Sequence, residues 1–394
     1  MTQKKKSLFN KWLNCFGLLL GALVLTACGT VLSPSDESSD GKETVTLWAG
    51  GSDNVKVGMD KIVKAFNDSE AGEKYDLKLE FILSGTGTQS LSDRIIAATE
   101  TDQKDTDYDL ILVSDAEYSS YVEQGGEDVF LPYDVENIPN LDKVVTKVSD
   151  GDGYLVPYRG TTVVLAYDSA KVATPPKTAD DLYQWIKDNP GRFAYNTPGS
   201  GGAGSSFVQT AIYNFLPEEA MTSSDPKWAA EWDQGFDLLK ELNGDMYQSG
   251  GKVVYPNKNQ GTLDLLVNGE VDMIPAWADM LITNLSNGTL PDTVKMAQIE
   301  PGLTGNVDGM AIPSIGSNSE GAQAVMDFML TTDAQQILLD SMAAIPVIDS
   351  SQVSSENSKY LEDLNIESFR TSSIGTLGTE LNERWDKEIG TMAQ

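Results

Sequence analysis

Apolar residues recur along this chain with two different periods. Glu43 to Ala49 holds Val45 and Leu47 in a short β-rich run. Leu77, Leu79, Phe81 and Leu83 alternate with Lys78, Glu80 and Ile82, which predicts a strand with one mostly apolar face. After Gly50, Gly51 and Ser52, the positions Val55, Met59, Ile62, Val63 and Phe66 follow the period of a helix. A Gly/Thr/Ser turn precedes a second helix carrying Leu91, Ile95, Ile96 and Ala98. Tyr108 to Val113 is nearly all apolar after Asp109, as expected for a strand covered on both faces. Strand–helix–strand–helix–strand is the order of a doubly wound α/β domain.

The pattern changes near residue 150. Asp150-Gly151-Asp152-Gly153 predicts a hairpin turn, followed by β-rich Tyr154-Leu155-Val156 and Thr161 to Tyr167. A calcium loop would need an acid where Thr161 stands, so calcium is excluded there. From Thr174 to about Gly305, helices are expected at Ala179 to Asn189, Ser205 to Phe215 and Trp228 to Asn243. Short strands are expected at Arg192 to Tyr195, Val271 to Pro275 and Thr293 to Gln298. This reads as a second α/β lobe. Met310 to Pro313 and a helix from Ser319 to Leu330 then resume the earlier style, and the polar tail after Ser350 is expected to wrap the surface.

The beginning of the chain is of another kind. Lys4, Lys5, Lys6 and Lys11 precede an apolar stretch from Phe16 to Ala27. Twelve residues rise about 18 Å as a helix, short of the roughly 30 Å hydrocarbon core, so the stretch predicts a signal segment rather than a spanning helix. Gly29 to Thr44 is rich in Ser, Asp and Gly and is expected to be a flexible tether.

Composition removes several chemistries. The 394 residues contain no histidine, which excludes a Ser-His-Asp triad, a Cys-His pair and an imidazole general base. A formal net charge of −31 is the wrong sign for phosphate counterion release, so nucleic acid is not an expected partner. Of the 2 Cys, Cys15 lies inside the signal segment, so no disulfide is expected in the exported body.

The string Leu25-Thr26-Ala27-Cys28 resembles the bacterial lipobox. The ordered strings TVTLWAGGS, DGDGYLVPYRGTTVVLAYD, NGEVDMIPAWADM, DGMAIP and TTDAQQILLD resemble the extracellular solute-binding proteins of bacterial ABC importers, which have the two-lobed type II periplasmic-binding-protein fold. The stretch from TPPKTADDLYQWIKDNPGRFAYNTP to GSSF is most similar to the branch of thiamine, polyamine, iron and phosphonate receptors. The resemblance implies cleavage before Cys28 and lipidation (palmitate) of its thiol. It also implies a lipid-anchored protein on the outer side of the cell membrane, which delivers a small solute to a membrane permease. A monomer without cofactor or metal is expected. The fold class expected is α/β, with two doubly wound lobes joined by hinge strands. Residues 1–27 are the signal peptide and 28–44 the tether; lobe 1 takes 45–158 and 309–350, lobe 2 takes 159–308, and 351–394 packs on the lobes.

Ligands of open α/β sheets bind beyond the carboxyl ends of the strands. Four places qualify. The first is Trp48 to Ser52, where an indole offers a face for stacking or for a cation, or fills the core. The second is Ser84-Gly85-Thr86-Gly87-Thr88, whose amides and hydroxyls suit a polar or anionic group, or make a plain capped turn. The third is Asn196 to Ser206, with Gly201, Ser205 and Ser206. Its Gly199-x-Gly201-x-x-Gly204 spacing imitates a dinucleotide fingerprint, but no second strand ending in an acid follows. The fourth is Trp277 with Asp279. Asp115, after the third strand, joins the set.

Two charges pull in opposite directions: Arg159, suited to a carboxylate or phosphate, and Asp308, suited to an ammonium. Either is equally compatible with a structural ion pair at the hinge. In the polyamine receptors a Trp-x-Asp group holds the ammonium, whereas Asn306-Val307-Asp308 keeps the Asp and lacks the aromatic. The iron receptors' adjacent tyrosines and His are missing. The expected function is capture of a small polar organic solute (a cationic amine, or a thiamine-like or phosphonate-like molecule) between the lobes by hinge closure. Hinge segments are expected at Pro157 to Thr161 and Gly305 to Gly309. The alternatives are a secreted hydrolase working without His, for which no motif places two carboxylates together, and an adhesin or sensor on the same fold.

Overall fold

The computed structural model describes residues 41–393 except 52, 84–89, 147, 149, 150, 363 and 366–368. The signal segment, Cys28 and most of the tether lie outside the described residues. The strands are β1 (Glu43–Gly51), β2 (Tyr75–Leu83), β3 (Leu110–Ser114), β4 (Phe130–Leu131), β5 (Val156–Thr161), β6 (Val163–Asp168), β7 (Gln248–Ser249), β8 (Lys252–Val253), β9 (Met273–Trp277), β10 (Val294–Ala297), β11 (Thr304–Pro313) and β12 (Arg370–Thr371). In the first half of the chain the helices are α1 (Asp53–Asn67), α2 (Ala71–Lys74), α3 (Leu91–Glu100), α4 (Asp115–Gly125), α5 (Ala179–Asp188) and α6 (Gly202–Tyr213). Then come α7 (Asp233–Asn243), α8 (Lys258–Val267), α9 (Ala278–Ser286), α10 (Ser319–Met329), α11 (Thr332–Met342), α12 (Ser358–Leu361) and α13 (Leu377–Glu388).

The first lobe is built on a sheet of order β12-β11-β3-β1-β2, with β4 and β5 also on β11. β1 runs parallel to β2 and β3, whereas β11 runs antiparallel to β3 and β5. Because side chains alternate across a strand, Val45 and Leu47 enter one core with Met59, Ile62 and Phe66 of α1, while Trp48 enters another with Ile95 and Ile111. In the second lobe β6 lies between β9 and β10, antiparallel to both. Parallel bridges from Phe193 to Met246 and Met273 extend that side. The chain passes between the sheets at Thr162, the single residue between β5 and β6, and returns on β11. The two-lobed α/β architecture expected from the sequence is present.

Four local expectations need correction. The strand expected at Arg192 to Tyr195 is reduced to isolated bridges at Phe193. Tyr154 to Val156 does not form a hairpin: β5 pairs with β11, about 150 residues away in sequence, through Val156↔Met310 and Gly160↔Val307. The helix expected from Trp228 is a 3-10 turn over Pro226–Glu231 followed by α7. The tail is not a surface wrap alone, because Leu377, Leu381, Trp385 and Ile389 are buried in the second lobe's core. Their four-residue spacing is a narrow apolar stripe that the polar average of the segment conceals.

Candidate functional site

The candidate site lies where strands of both lobes end, beside the crossing between β5 and β6. β3 ends at Ser114, which caps α4: its hydroxyl accepts from Glu117 N, and the Glu117 carboxylate accepts from Ser114 N at 3.1 Å and Ser114 Oγ at 3.0 Å. β9 ends at Trp277, and α9 follows with Asp279 in its first turn. Strand register sets Asp308 of β11 beside Ser114 on one side and Arg159 of β5 on the other.

Charge organises the centre of this arrangement. Arg159 Nε and an Nη donate to Asp308 Oδ2 at 2.6 and 2.5 Å, with only 11% and 13% of the two side chains exposed. The other guanidinium nitrogen, Nη1, is buried with no hydrogen-bond partner. Thr161 Oγ1 donates to Asp279 Oδ1 at 3.2 Å. Burial opposes the charge of Arg159, but Asp308, Tyr158 and Asp279 outweigh it and raise its pKa. Burial raises the Asp279 pKa; Arg159 and Thr161 pull it down, and Asp308 pushes it up. Glu117 keeps an exposed edge, yet surrounding protein desolvates it enough to raise its pKa, and Asp308 adds to the effect. Arg159 is thus neutralised by Asp308, while Asp279 remains in its field and Glu117 in that of Asp308. The excess charge is negative.

The other sequence-derived candidates fall elsewhere. Trp48 is not at the mouth: it sits inside β1 with 8% exposure, its ring 4.9 Å from Tyr108 and its Nε1 donating to Asp107 O. Its core role prevails. Asn196 is fully buried and ties the 197–204 loop, donating to Thr197 O and Gly201 O and accepting from Gly204 N. Asn259 Oδ1 accepts from Ala203 N. Ser205 Oγ donates to Pro198 O and Ser206 Oγ to Thr304 O. The start of α6 therefore satisfies Ala203 and Gly204 with side chains instead of presenting these amides to an anion. A Cβ at Gly201 would lie 2.5 Å from Asn259 Oδ1, so close packing accounts for that glycine.

Trp277 is half-buried against Gly202, where a Cβ would come within 2.6 Å of its ring. Asp115 opens α4. Ser52, Ser84, Gly85, Thr86, Gly87 and Thr88 lie outside the described residues. Reasoning from sequence missed Glu117 and Thr161. The S-x-x-E spacing of Ser114 and Glu117 directly after a strand was the available signal for Glu117. No sequence motif places two carboxylates together; the fold does, bringing Asp308 of β11 into the electrostatic reach of Asp279 of α9. Among the described residues no group of three or more His, Cys, Asp or Glu is arranged to hold a metal ion.

A sequence model of the bacterial extracellular solute-binding protein family matches residues 61–363. The chain belongs to that family. It is 24% identical over 365 residues to a maltooligosaccharide ABC transporter solute-binding lipoprotein of Streptococcus pneumoniae, covering 83% of this chain and 78% of the relative. It is 23% identical over 336 residues to protein YnjB of Escherichia coli, covering 81% and 83%. Among solved structures, a periplasmic thiamin binding protein aligns over 90% of this chain and 97% of its own, at TM-score 0.62 and 16% identity. The spermidine/putrescine substrate-binding protein of Streptococcus pneumoniae aligns over 90% and 100%, at TM-score 0.64 and 12% identity. These structures share the fold. The chain is a solute-binding protein of the kind that serves ABC transporters, and among its described residues no helix is long and apolar enough to cross a membrane.

Proposed function

We propose that this protein captures a small organic cation between its lobes and delivers it to an ABC permease. One observation carries the choice of ligand charge: Arg159 is already paired with Asp308, which leaves the partly buried Asp279 and the more exposed Glu117 as further carboxylates beside Asp308. An ammonium or a thiazolium-like cation entering there relieves the like-charge repulsion and supplies the missing counter-charge. Trp277, half-exposed beside Asp279, offers a ring face to the same cation. A phosphonate-like ligand is less suited, because side chains already cap the amides of Ala203 and Gly204. Binding the closed arrangement more tightly shifts the lobes toward it, with the hinge at Thr162 and the start of β11.

The anchor belongs to the same reading: Cys28, following Leu25-Thr26-Ala27, carries the lipid that keeps the protein at the outer face of the membrane. The family and the lipoprotein name of the Streptococcus relative support it. The test of ligand class is a thermal-shift screen with spermidine, putrescine, thiamine, aminophosphonates and maltooligosaccharides. A ligand at about 100 times its dissociation constant adds about 2.7 kcal/mol of stability, a readable shift. Stabilisation by the cations supports the reading; stabilisation by phosphonates or sugars alone refutes it.

A further inference from the structure

The two lobes also touch just beyond β12, which pairs with the start of β11 through Thr304↔Arg370 and Gly305↔Thr371. Ser119 of α4 and Ser373 face each other with their hydroxyl oxygens 2.6 Å apart. One turn further along α4, the Glu123 carboxylate accepts from Thr376 N at 3.3 Å. α4 belongs to the first lobe, since Tyr118 and Tyr121 pack on Phe130 at 5.2 and 5.4 Å within the core of Trp48 and Ile95. The 372–389 segment belongs to the second: Ser373 N donates to Met221 O, Trp385 Nε1 donates to Tyr195 OH, and Leu377 and Leu381 join that lobe's core.

The contact is closely packed. Gly375 adopts φ +52, and a Cβ there would lie 2.4 Å from Glu123 Oε1, so the carboxylate rests directly against the backbone entering α13. An acid at the start of a twelve-residue helix is favoured by its dipole. Beside it an open groove of about 370 Å³ separates Tyr118, Asp152 and Tyr154 from Thr222 and Ser224. Polar contacts, Ser119 with Ser373 and Glu123 with Thr376, join the lobes here.

We propose that Ser119, Glu123, Ser373 and Gly375 form a latch that favours the closed arrangement, which makes them positioning residues for capture although they lie outside the charged cluster. The inference rests on the two-lobed receptor reading, and its test uses no solute, so the two fail separately. In the full-length chain the S119C/S373C pair is oxidised mildly, and the new disulfide is followed by peptide mapping, which separates it from Cys15 and Cys28. Hydroxyls 2.6 Å apart place the sulfurs close to bonding distance. Rapid cross-linking is expected, slowed about three- to tenfold by adding Glu123→Ala, because one charge-assisted contact of the latched state is lost. Glu123→Gln, which keeps an acceptor, should fall between. Glu123 is exposed, so an unchanged melting temperature separates loss of the latch from loss of fold. Failure to cross-link, or a rate indifferent to residue 123, would overturn the latch.

Discussion

At Asp279 the stability of the fold and the proposed binding of a cation meet in one side chain. Its pKa is raised mainly by burial, so the folded protein holds that proton more tightly than the unfolded chain does. The ionised form therefore costs stability at neutral pH. The cost disappears as pH falls through the raised pKa toward the ordinary value of about 3.9. Asp279→Asn should melt no lower than the natural protein at pH 7 in the absence of solute, and should lose part of the pH dependence in this window, the rest belonging to Glu117. The same variant should bind spermidine at least about tenfold more weakly, since it loses a charge-assisted contact. Cation affinity should also fall on acidification, beginning above the pH at which an ordinary carboxylate titrates; calorimetry between pH 7 and 4 checks this. Glu117→Gln should behave alike, because the glutamine still caps Ser114. Asp279 and Asp308 could be named from sequence, as acids beside expected strand ends. Their pairing with Thr161 and Arg159 could not, because it depends on where β9 and β11 pair with β6 and β5.

At the scale of elements, the loop before α6 and the helix α13 carry the sharpest consequences. A Cβ at Gly204 would fall 1.9 Å from Asn196 O, a backbone atom that no rotamer change can move. Gly204→Ala should cost about 3 kcal/mol, read as a lower denaturant midpoint at unchanged slope. Trp385 is 1% exposed and hydrogen-bonds Tyr195, so Trp385→Ala should cost about 3–5 kcal/mol even though it lies in the polar tail. The periodic elements were legible: the stripe Val55, Met59, Ile62, Phe66 is α1, and Leu110 to Ser114 is β3. The 150–156 turn and α13 were not. A turn signal does not say which strand its neighbour will join, and four apolar residues in a polar segment barely move a local average.

For the whole molecule, the alternation of strand and helix made two α/β lobes readable, and the ordered motifs made the family readable. What sequence left open was which candidates meet. The fold withdraws Trp48 into a core, commits Asn196 and Ser206 to loop and strand contacts, and gathers Arg159, Asp308, Asp279 and Glu117. At the same scale, Cys28→Ala should release the protein from cells into the medium, measured by immunoblot of the two fractions. Retention on the cell would contradict the anchor.

The most direct test of the account is a calorimetric titration of spermidine, putrescine and thiamine into the natural protein, repeated with Asp279→Asn/Glu117→Gln. Saturable binding of at least one of these cations, weakened tenfold or more in the double variant, is the expected result. Binding that the double variant leaves unchanged, or tight binding of an anionic ligand alone, would contradict the claim that the hinge carboxylates hold the solute.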